Sequence, residues 1–444
     1  MLTHLKLNNF KIWRSTGQMN LAPLTLLFGV NSSGKSSLIQ SLLLLRQTMK
    51  SPDANLDLNF GNPEAGDSVT LGQFRDVLCR QGVASETLSA KQVGIEFAWR
   101  GASKDEQGIF SASYREGPGG SAELQSLRIG RGLHGFSLRR GEKGAYAVYA
   151  ADSAQSLGRS REFKARRSFE FPPAAVRLLG DAAADVLAAG PAAVEELSRV
   201  IYLGPVRRLA QRDYLWSGRA PSSIGDDGGR AVDALIASGV AKLDAKRRRL
   251  PTPAAAFLFD QTVHWLRDMG LADGLQIKQI GKSARYEVLV ENKGSASNLK
   301  DVGVGVSQVL PVIVAALFAQ PGQTVIIEEP ESHLHPLAQT QLAELFIALS
   351  RERGVQLIVE SHSEHLVLRL QRRVAEELLP TKAVAMYYVR RSDDQSVLET
   401  LRLNEAGEIE NWPDDFFGDE MVDIAARTMA ALDRQGHKLP GKDS

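Results

Sequence analysis

The chain has 444 residues, 43% of them hydrophobic, which is enough for about two to three domains. Its 53 basic residues balance 52 acidic ones, and the net charge of +1 argues against binding nucleic acid through bulk charge. The one cysteine, Cys79, excludes a disulfide framework and a thiolate metal cluster. Because the sequence contains no apolar run of membrane-spanning length and no signal-peptide pattern, we expect a cytoplasmic protein rather than a secreted, membrane, fibrous or disordered one.

The hydrophobic pattern predicts an α/β core divided by a long insertion. Strands are predicted over 2–13 and 24–28, and a helix over about 36–49 follows a glycine-rich turn. Short alternating runs between 90 and 170 indicate an antiparallel β region. The pattern then predicts helix over 173–200, a loop over 216–230, helices over 231–270, strands over 274–292, a helix over 305–319, a strand over 324–329, a helix over 336–353, the strand QLIVES and a helix over 363–379. Alternating strands and helices of this kind are typical of an α/β fold.

The segment Gly29-Val-Asn-Ser-Ser-Gly34-Lys35-Ser36 matches the phosphate-loop pattern G-x-x-x-x-G-K-[ST] in full. A predicted strand precedes it and a predicted helix follows, which is the context that such loops require. The glycines allow backbone N–H groups to surround phosphate oxygens at a helix N-terminus, whose dipole favours anions. We therefore expect Lys35 to pair with the β- and γ-phosphates of a nucleotide and the Ser36 hydroxyl to bind Mg²⁺. A serine–glycine turn that happens to contain lysine is the alternative.

Two adjacent acids, Glu328 and Glu329, end a buried apolar strand. Beside a phosphate loop, the first acid can hold Mg²⁺ or its water, and the second can orient or deprotonate the attacking water. Neighbouring side chains of a strand point to opposite faces, so the two acids cannot serve a metal ion in the same way. Two acids at an exposed strand end are the alternative.

Four of the eight histidines fall in two short motifs, His333-Leu-His335 and His362-Ser-Glu-His365. One interpretation is a zinc site, since imidazole pairs at such spacings can ligate zinc. The other, which we prefer, assigns His362 to the nucleotide site, because it ends the strand after the acidic one and can reach a γ-phosphate. Structural and functional roles stay open for the other three histidines.

Together these motifs resemble the ATP-binding-cassette ATPase superfamily, in particular its soluble AAA-type members related to overcoming-lysogenization-defect (OLD) nucleases and structural-maintenance-of-chromosomes (SMC) ATPases. The segments that carry the resemblance are LKLNNFKIW, PLTLLFGVNSSGKSSLIQSL, LGQFRD, YLGPVRR, LKDVGVGVSQVLPV, VIIEEPESHLHP and IVESHSEHL, and GEIENWPDDFF resembles a small C-terminal domain of unknown function found on many such ATPases. The resemblance implies an α/β, SMC-like P-loop ATPase head whose mixed core sheet is flanked by helices and interrupted by an antiparallel β-rich and helical insertion.

We accordingly expect five regions. The ATPase core is divided between 1–90 and 299–380, and the β-rich insertion with its helical segment spans 91–200. A helical lobe with strands spans 201–298, and a small C-terminal domain with an acidic tail spans 381–444.

The resemblance also implies a role for each matching residue. ATP would be bound by Gly29, Asn31, Ser32, Ser33, Gly34, Lys35, Ser36 and Ser37. Ser36, Glu328 and the Q-loop residue Gln73 would hold Mg²⁺. Glu329 would be the catalytic base, and His362 would be the switch histidine.

The resemblance further implies a dimer in which two chains enclose two ATP molecules and each site is completed by the other chain. The signature segment that contacts the partner's γ-phosphate would be Gly303, Gly305, Ser307 and Gln308, and the junction would include Asn31 and residues 331–333. This segment lacks the usual Leu-Ser-Gly-Gly order, so which of Gly305 and Ser307 touches phosphate stays open. The first acid is Glu rather than the usual Asp, which lengthens the arm to magnesium.

Two functions remain open on this basis. About 80 residues follow His362 and lack the acidic strands of a Toprim-type nuclease, so we predict no intrinsic nuclease domain. The first hypothesis is an ATPase sensor or scaffold that controls a separate effector, a nuclease or toxin, in bacterial anti-phage defence. The second is an SMC-like ATPase of DNA repair or chromosome maintenance that clamps DNA. A transporter motor fits less well, because the insertion is large and no membrane-coupling feature is visible.

Charged segments bear on this choice. Residues 128–167 carry ten basic side chains against three acids, and Lys242 with Lys246, Arg247, Arg248 and Arg249 forms a denser cluster. Both could contact DNA phosphates, although a solvated face is the commoner explanation. Arg207 and Arg208 could reach the nucleotide or the partner subunit, or form structural ion pairs.

The tail over 404–423 carries eight acids and no basic residue. Trp412, Phe416 and Phe417 lie among these acids and favour docking of an effector, or packing onto the core, over a free solubilising tail.

Overall fold

A computed structural model provides the structure of the chain and describes residues 1–79, 91–101, 107–131, 134–150, 153–248, 254–392, 395–413, 427 and 429. The strands in these ranges are β1 (Leu2–Phe10), β2 (Trp13–Ser15), β3 (Met19–Asn20), β4 (Leu24–Gly29), β5 (Gln92–Arg100), β6 (Gln107–Glu116), β7 (Ala122–Arg131), β8 (His134–Arg140), β9 (Tyr146–Ala150), β10 (Gly158–Ser160), β11 (Val200–Leu203), β12 (Tyr214–Leu215), β13 (Gly274–Gln279), β14 (Arg285–Asn292), β15 (Ser295–Asn298), β16 (Thr324–Glu328), β17 (Gln356–Glu360), β18 (Val384–Ser392) and β19 (Gln395–Leu401). The α-helices are α1 (Lys35–Lys50), α2 (Phe74–Val77), α3 (Pro173–Val176), α4 (Ala183–Ser198), α5 (Ala231–Arg247), α6 (Phe257–Asp268), α7 (Val304–Phe318), α8 (Pro336–Arg353) and α9 (Glu364–Ala375).

The core sheet runs in the order β11-β16-β17-β4-β18-β19, and its strands are parallel except for β19. β16 and β17 are buried along their whole length, as expected for parallel strands that are covered on both faces. Successive residues of β16 enter different cores: Val325 and Ile327 belong to one hydrophobic cluster and Ile326 to another. The predicted α/β fold with a mixed core sheet is therefore confirmed.

A second, antiparallel sheet contains the strands of the predicted insertion. It runs β10-β9-β8-β7-β6-β5-β1-β2, and β3 also pairs with β1, on the edge away from β5. The insertion thus continues the N-terminal strands, with Leu5 opposite Phe97 where β1 meets β5. Leu2, Leu5 and Leu7 from this sheet share a hydrophobic cluster with Ile326 of the core sheet. The described part of the insertion is antiparallel, as predicted.

A third sheet is antiparallel and small, with the order β12-β14-β13 and with β15 beside β14. Its buried Ile277 and Val288 share a hydrophobic cluster with Leu235 of α5 and Leu266 of α6. Helices α7 and α8 contribute to the same cluster, as do Val325 and Ile327 of β16, so the third sheet and these helices pack onto one face of the core sheet.

Two helix predictions were wrong in extent. The continuous helix over 173–200 is broken at Gly180, whose φ of 56° and ψ of −125° are not helical, so α3 and α4 are separate. The helix over 363–379 ends at Ala375, after which Glu377 adopts a positive φ.

The strands β18 and β19 come from the region expected to form a separate C-terminal domain, yet they complete the core sheet beside β4. The domain boundaries themselves remain predictions. Residues 414–423 of the acidic tail, including Phe416 and Phe417, lie outside the described residues, whereas Trp412 is 41% exposed. Within the described ranges, no helix has the length and apolarity needed to cross a membrane.

Candidate nucleotide site

The phosphate loop joins β4 to α1 at the C-terminal edge of the core sheet. Gly29 has a φ of 138°, and a Cβ atom there would lie 2.1 Å from the carbonyl oxygen of Val389 in β18. Gly34 has a φ of 113°, and its carbonyl oxygen accepts a hydrogen bond from Trp13 Nε1 at 3.1 Å. Side chains other than hydrogen are therefore excluded at both positions, which explains the two glycines of the motif.

Lys35 begins α1 and is only 3% exposed. Its Nζ donates to the carbonyl oxygens of Gly29 and Val30 at 2.9 and 3.0 Å, and it lies 3.8 Å from Glu360 Oε1. Burial lowers the pKa of Lys35, while nearby carboxylates, Glu360 above all, oppose that shift. The ammonium is thus held inside the loop that is expected to bind phosphate.

Two carboxylates meet at the ends of neighbouring strands. β16 and β17 are parallel and pair with Glu328 opposite Glu360, so both strands end in an acid at the same edge. Glu360 approaches Ser36, whose Oγ lies 3.1 and 3.0 Å from Oε1 and Oε2. Glu328 Oε1 accepts a hydrogen bond from the Tyr202 hydroxyl at 2.7 Å. Burial raises the pKa of Glu328, and burial together with the charge of Glu328 raises the pKa of Glu360 to about 8.

Sequence reasoning missed Glu360. The signal was present, because QLIVE is an apolar run that ends in an acid, as TVIIE is. The C-terminal ends of neighbouring parallel strands meet at one edge of a sheet, and this would have placed both acids beside the phosphate loop.

Glu329 lies just beyond β16 in a left-handed backbone conformation, with a φ of 46°. Its amide donates to the carbonyl oxygen of Glu360 at 2.8 Å, and its carboxylate accepts from Ser332 Oγ at 3.1 Å. Arg207 holds this turn: its Nη2 donates to the carbonyl oxygens of Glu328 and Glu329 at 2.7 and 2.9 Å.

The two arginines of YLGPVRR therefore have different positions. Arg207 is 4% exposed and binds the backbone of its own chain, and burial lowers its pKa. Arg208 is exposed and forms an ion pair with Asp227 at 3.4 Å. Neither of the two roles expected for Arg207 describes it fully, because its hydrogen-bond acceptors are backbone carbonyls rather than phosphates or carboxylates.

His362 follows β17 by two residues. Its backbone amide donates to Glu331 Oε1 at 2.5 Å, and Glu331 is 8% exposed. Glu331, expected at a dimer junction, thus turns its carboxylate into its own chain. Burial and then the charge of Lys35 lower the pKa of the His362 imidazole, which favours its neutral form.

The other three histidines do not join His362 in a metal site. His333 is exposed with a φ of 66°, and His335 caps α8 by accepting from the Leu337 amide at 3.4 Å. His365 lies in the first turn of α9. The part of the chain that the structure describes contains no group of three or more His, Cys, Asp or Glu residues placed to hold a metal ion. The zinc interpretation therefore has no support in those residues.

A cavity of about 440 Å³ is lined by the phosphate loop and by residues at the ends of β16 and β17. Its lining is Lys11, Ile12, Asn31, Ser32, Gly34, Lys35, Ser36, Ser37, Gln40, Glu329, Glu360 and His362. Lys11 and Gln40, joined by a hydrogen bond of 2.5 Å, are further residues that the sequence did not identify. Gln73 does not belong to this lining; it is the exposed N-cap residue of α2. The structure thus brings Glu329 and His362 to the phosphate loop but places Gln73 outside the cavity.

The predicted signature segment is also outside this cavity. Gly303 is the exposed N-cap of α7, and Ser307 Oγ donates to the Val304 carbonyl at 3.0 Å. Gly305 packs closely on the turn after the acids, where an added Cβ would lie 3.0 Å from the His333 carbonyl oxygen. Gln308 is buried. Gly303 and Val304 therefore face solvent at the start of a helix.

The dense basic cluster lies at the C-terminal end of α5. Lys246, Arg247 and Arg248 are exposed, and Arg249 lies outside the described residues. Arg247 is 3.8 Å from Asp244, and Lys242 pairs with Asp260 at 2.5 Å. Basic residues are favourable at a helix C-terminus, so the cluster needs no ligand to account for it.

The side chains inside the site offer oxygen atoms as metal ligands, which suits Mg²⁺. The Ser36 hydroxyl and the nearby carboxylate of Glu328 are hard ligands, and Mg²⁺ at nucleotide sites uses few protein ligands besides phosphate and water. The residues present therefore fit the ion that the resemblance implies.

Two family models match parts of the chain. Residues 234–369 match the model described as "AAA domain, putative AbiEii toxin, Type IV TA system". Residues 379–426 match a protein of unknown function, DUF3696. The first match contains β16, β17 and His362, so the part of the cavity lined by Glu329, Glu360 and His362 lies within it.

Individual relatives were also found. An OLD nuclease of Thermus scotoductus is 32% identical over 112 residues, which cover 23% of this chain and 20% of that protein. The chain thus matches about a fifth of the length of this curated relative. The SMC head domain from Thermotoga maritima is similar with a TM-score of 0.41 and 11% identity over 90% of this chain and 99% of that one. The Pyrococcus furiosus Smc head domain bound to the C-terminal domain of ScpA is similar with a TM-score of 0.45 and 10% identity, over 96% of this chain and 99% of that one.

Proposed function

We propose, from the premise that this chain is a P-loop ATPase of the AAA, ABC-like kind, that it hydrolyses ATP slowly as a dimer and thereby controls a separate effector. The observation that carries the proposal is the cavity in which Lys35, Glu329 and His362 meet. These are a phosphate-binding cation, a carboxylate able to accept a proton and a neutral imidazole. Together they supply what hydrolysis of a γ-phosphate requires.

Each residue has a task that its environment supports. Lys35 neutralises phosphate charge from within the loop, and its low exposure strengthens that interaction. Glu329 is only partly buried, so its carboxylate is available to take a proton from the attacking water. His362 donates a hydrogen bond to the γ-phosphate and orients it. Mg²⁺, held by Ser36 and Glu328, would supply positive charge at the phosphate oxygens.

A dimer accounts for the signature segment, which starts at the exposed Gly303 and does not line the cavity of its own chain. Apolar side chains are exposed near the same elements: Val30 in the phosphate loop at 52%, Val304 at 55% and Leu337 at 55%, together with Val206 at 83% beside Arg207. Exposed apolar residues grouped around a site favour a protein–protein contact. We infer that this contact is a second copy of the chain, closed by ATP.

The effector role rests on the relatives. The model that matches residues 234–369 is described as an AAA domain, "putative AbiEii toxin, Type IV TA system", and the relative that is 32% identical over 112 residues is an OLD nuclease. Both descriptions concern nuclease or toxin systems, in line with anti-phage defence. We therefore propose an ATPase sensor or scaffold whose closed and open states hold and release a nuclease or toxin.

Phosphate release tests the ATPase. We expect hydrolysis by the wild-type protein, and a fall of about 10²- to 10⁴-fold in Glu329→Gln with ATP binding retained, because only the proton acceptor is lost. Glu352→Gln, a substitution of an exposed acid in α8, is the matched control. Wild-type rates in Glu329→Gln would exclude Glu329 as the base.

Co-purification tests the effector. The tagged Glu329→Gln protein is expressed together with its neighbouring genes and purified with Mg-ATP present. It should retain a stoichiometric nuclease or toxin, and Lys35→Ala should lose it. Recovery of DNA alone, lost at high salt, would instead support the second candidate.

The second candidate is an SMC-like ATPase that binds DNA directly, and the exposed basic end of α5 is the observation that favours it. Replacing Lys246, Arg247 and Arg248 by glutamate should then weaken DNA binding. The slope of the logarithm of the binding constant against the logarithm of the salt concentration should fall by about three. An unchanged affinity and salt dependence would remove this cluster from any DNA interface.

A further inference from the structure

Glu360 has no role in the function proposed above. It is the last residue of β17, it is 4% exposed, and it lines the nucleotide cavity. Neither the resemblance nor the matching family descriptions assigns it a task. A buried carboxylate is costly unless a partner compensates its charge, so its position requires an explanation.

The contacts of Glu360 point at the Ser36 hydroxyl. Both carboxylate oxygens lie within 3.1 Å of Ser36 Oγ. A serine hydroxyl has one hydrogen, so one carboxylate oxygen of Glu360 accepts it. The other carboxylate oxygen also faces Ser36 Oγ, and that hydrogen bond does not use its lone pairs. Ser36 Oγ is the atom through which the phosphate-loop serine is expected to bind Mg²⁺.

The charge balance points the same way. Glu328 and Glu360 stand side by side at paired positions of β16 and β17, and Lys35 is the cation 3.8 Å from Glu360. When Lys35 pairs with nucleotide phosphates, it no longer compensates two buried carboxylates. A divalent cation between the carboxylates and the phosphates would restore the balance, and carboxylate oxygens are the ligands that such a cation prefers.

We propose that Glu360 is a protein carboxylate of the magnesium site, which binds the divalent cation together with Ser36 and Glu328. This inference rests on the proposed function, since it concerns the ion that accompanies ATP. The site would then present acids from two neighbouring strands, β16 and β17.

The substitution Glu360→Gln separates this role from a purely structural one. Glutamine has the same size and can still accept the Ser36 hydrogen bond, but it carries no charge and binds Mg²⁺ poorly. The Mg²⁺ concentration that gives half-maximal binding of a fluorescent ATP derivative should rise about tenfold or more. Binding of the same nucleotide in EDTA should not weaken, because glutamine fills the same space and the phosphate-binding residues of the loop are unchanged.

A matched variant controls for loss of a charge and for handling of the protein. Glu352→Gln removes the same charge from the exposed surface of α8, outside the nucleotide cavity. It should leave the Mg²⁺ requirement within about threefold of wild type. Electron paramagnetic resonance of Mn²⁺ in the presence of nucleotide gives a second readout, and Glu360→Gln should release the Mn²⁺ that wild type retains.

An unchanged Mg²⁺ requirement in a folded Glu360→Gln protein would overturn the inference and leave the ATPase proposal intact. Failure of the wild type to bind nucleotide at all would overturn both. If Glu360→Gln does not fold, Glu360→Asp replaces it: a shorter arm should still raise the Mg²⁺ requirement, and a wild-type requirement with this variant would refute the assignment.

Discussion

Arg207 Nη2 donates a hydrogen bond of 2.9 Å to the backbone carbonyl of Glu329, which lies 122 residues further along the chain. The guanidinium also donates to the carbonyl of Glu328, so it holds the carbonyl groups on both sides of the Glu329 Cα. Glu329 needs such support, because its φ of 46° is unfavourable for a residue with a side chain. Arg207 is therefore a positioning residue for the proposed catalytic base.

This relationship predicts a selective loss of rate. Arg207→Ala should lower the rate constant of ATP hydrolysis by about 10- to 100-fold and change the Michaelis constant little, because the base is misplaced while the phosphate loop is intact. Arg207→Lys should recover part of the rate, since an ammonium can also donate to carbonyl oxygens. Arg208→Ala is the control, as Arg208 pairs with Asp227 at the surface. A rise in the Michaelis constant at an unchanged rate constant would contradict the positioning role.

The local motifs of the site could be predicted from sequence, because each is contained in one strand–loop–helix unit. The phosphate loop follows β4, and Glu329 and His362 follow β16 and β17, so a short window reveals each. Glu360 and Arg207 were harder. Glu360 acquires its importance from a neighbouring strand, through the register that sets it opposite Glu328, and Arg207 acts on backbone atoms, which leave no trace in residue type.

For the fold as well, local features could be predicted from the sequence and long-range pairing could not. Buried apolar runs predicted β16 and β17, but pairing is a long-range property. The insertion strands therefore could not be assigned to the sheet of β1, nor β18 to the edge of β4, before the structure was available. Local φ and ψ angles mattered as well: Gly180 interrupts a segment whose alanine-rich composition favours helix.

Gln356 joins the two large sheets and should be important for stability. Its side chain is 1% exposed, accepts from the Leu2 amide at 3.0 Å and from Thr324 Oγ1 at 2.9 Å, and donates to the carbonyls of Leu2 and Ala22 at 2.7 and 3.1 Å. Gln356→Ala should reduce the free energy of unfolding by about 2–4 kcal/mol, because buried backbone groups lose their partners. Denaturant unfolding would measure this, with the exposed Gln18→Ala as the control. Equal effects of the two substitutions would contradict the bridging role.

Asp57 should make the stability dependent on pH. It is 2% exposed, and burial raises its pKa although it accepts from the Leu124 amide at 2.9 Å and pairs with Lys164 at 3.1 Å. Because its pKa is higher in the folded than in the unfolded state, the stabilisation by the protonated carboxyl is complete below about pH 4 and is lost as the pH rises through the folded pKa.

Asp57→Asn tests this dependence, since an amide does not ionise. The melting temperature of the variant relative to wild type should rise from about pH 4 until the pH exceeds the folded pKa of Asp57, and level off above it. Asp53→Asn, in an exposed loop nearby, should show no such trend. A difference between Asp57→Asn and wild type that does not vary with pH would show that the Asp57 carboxyl titrates alike in both states.

The central claim, an ATP-closed dimer with Glu329 as the base, is tested most directly by light scattering of Glu329→Gln. The account predicts that Mg-ATP doubles the mass of the particle from the 48.3 kDa of one chain, while Lys35→Ala, which lacks the phosphate-binding cation, does not respond. A Glu329→Gln protein that binds Mg-ATP and keeps an unchanged mass would contradict it.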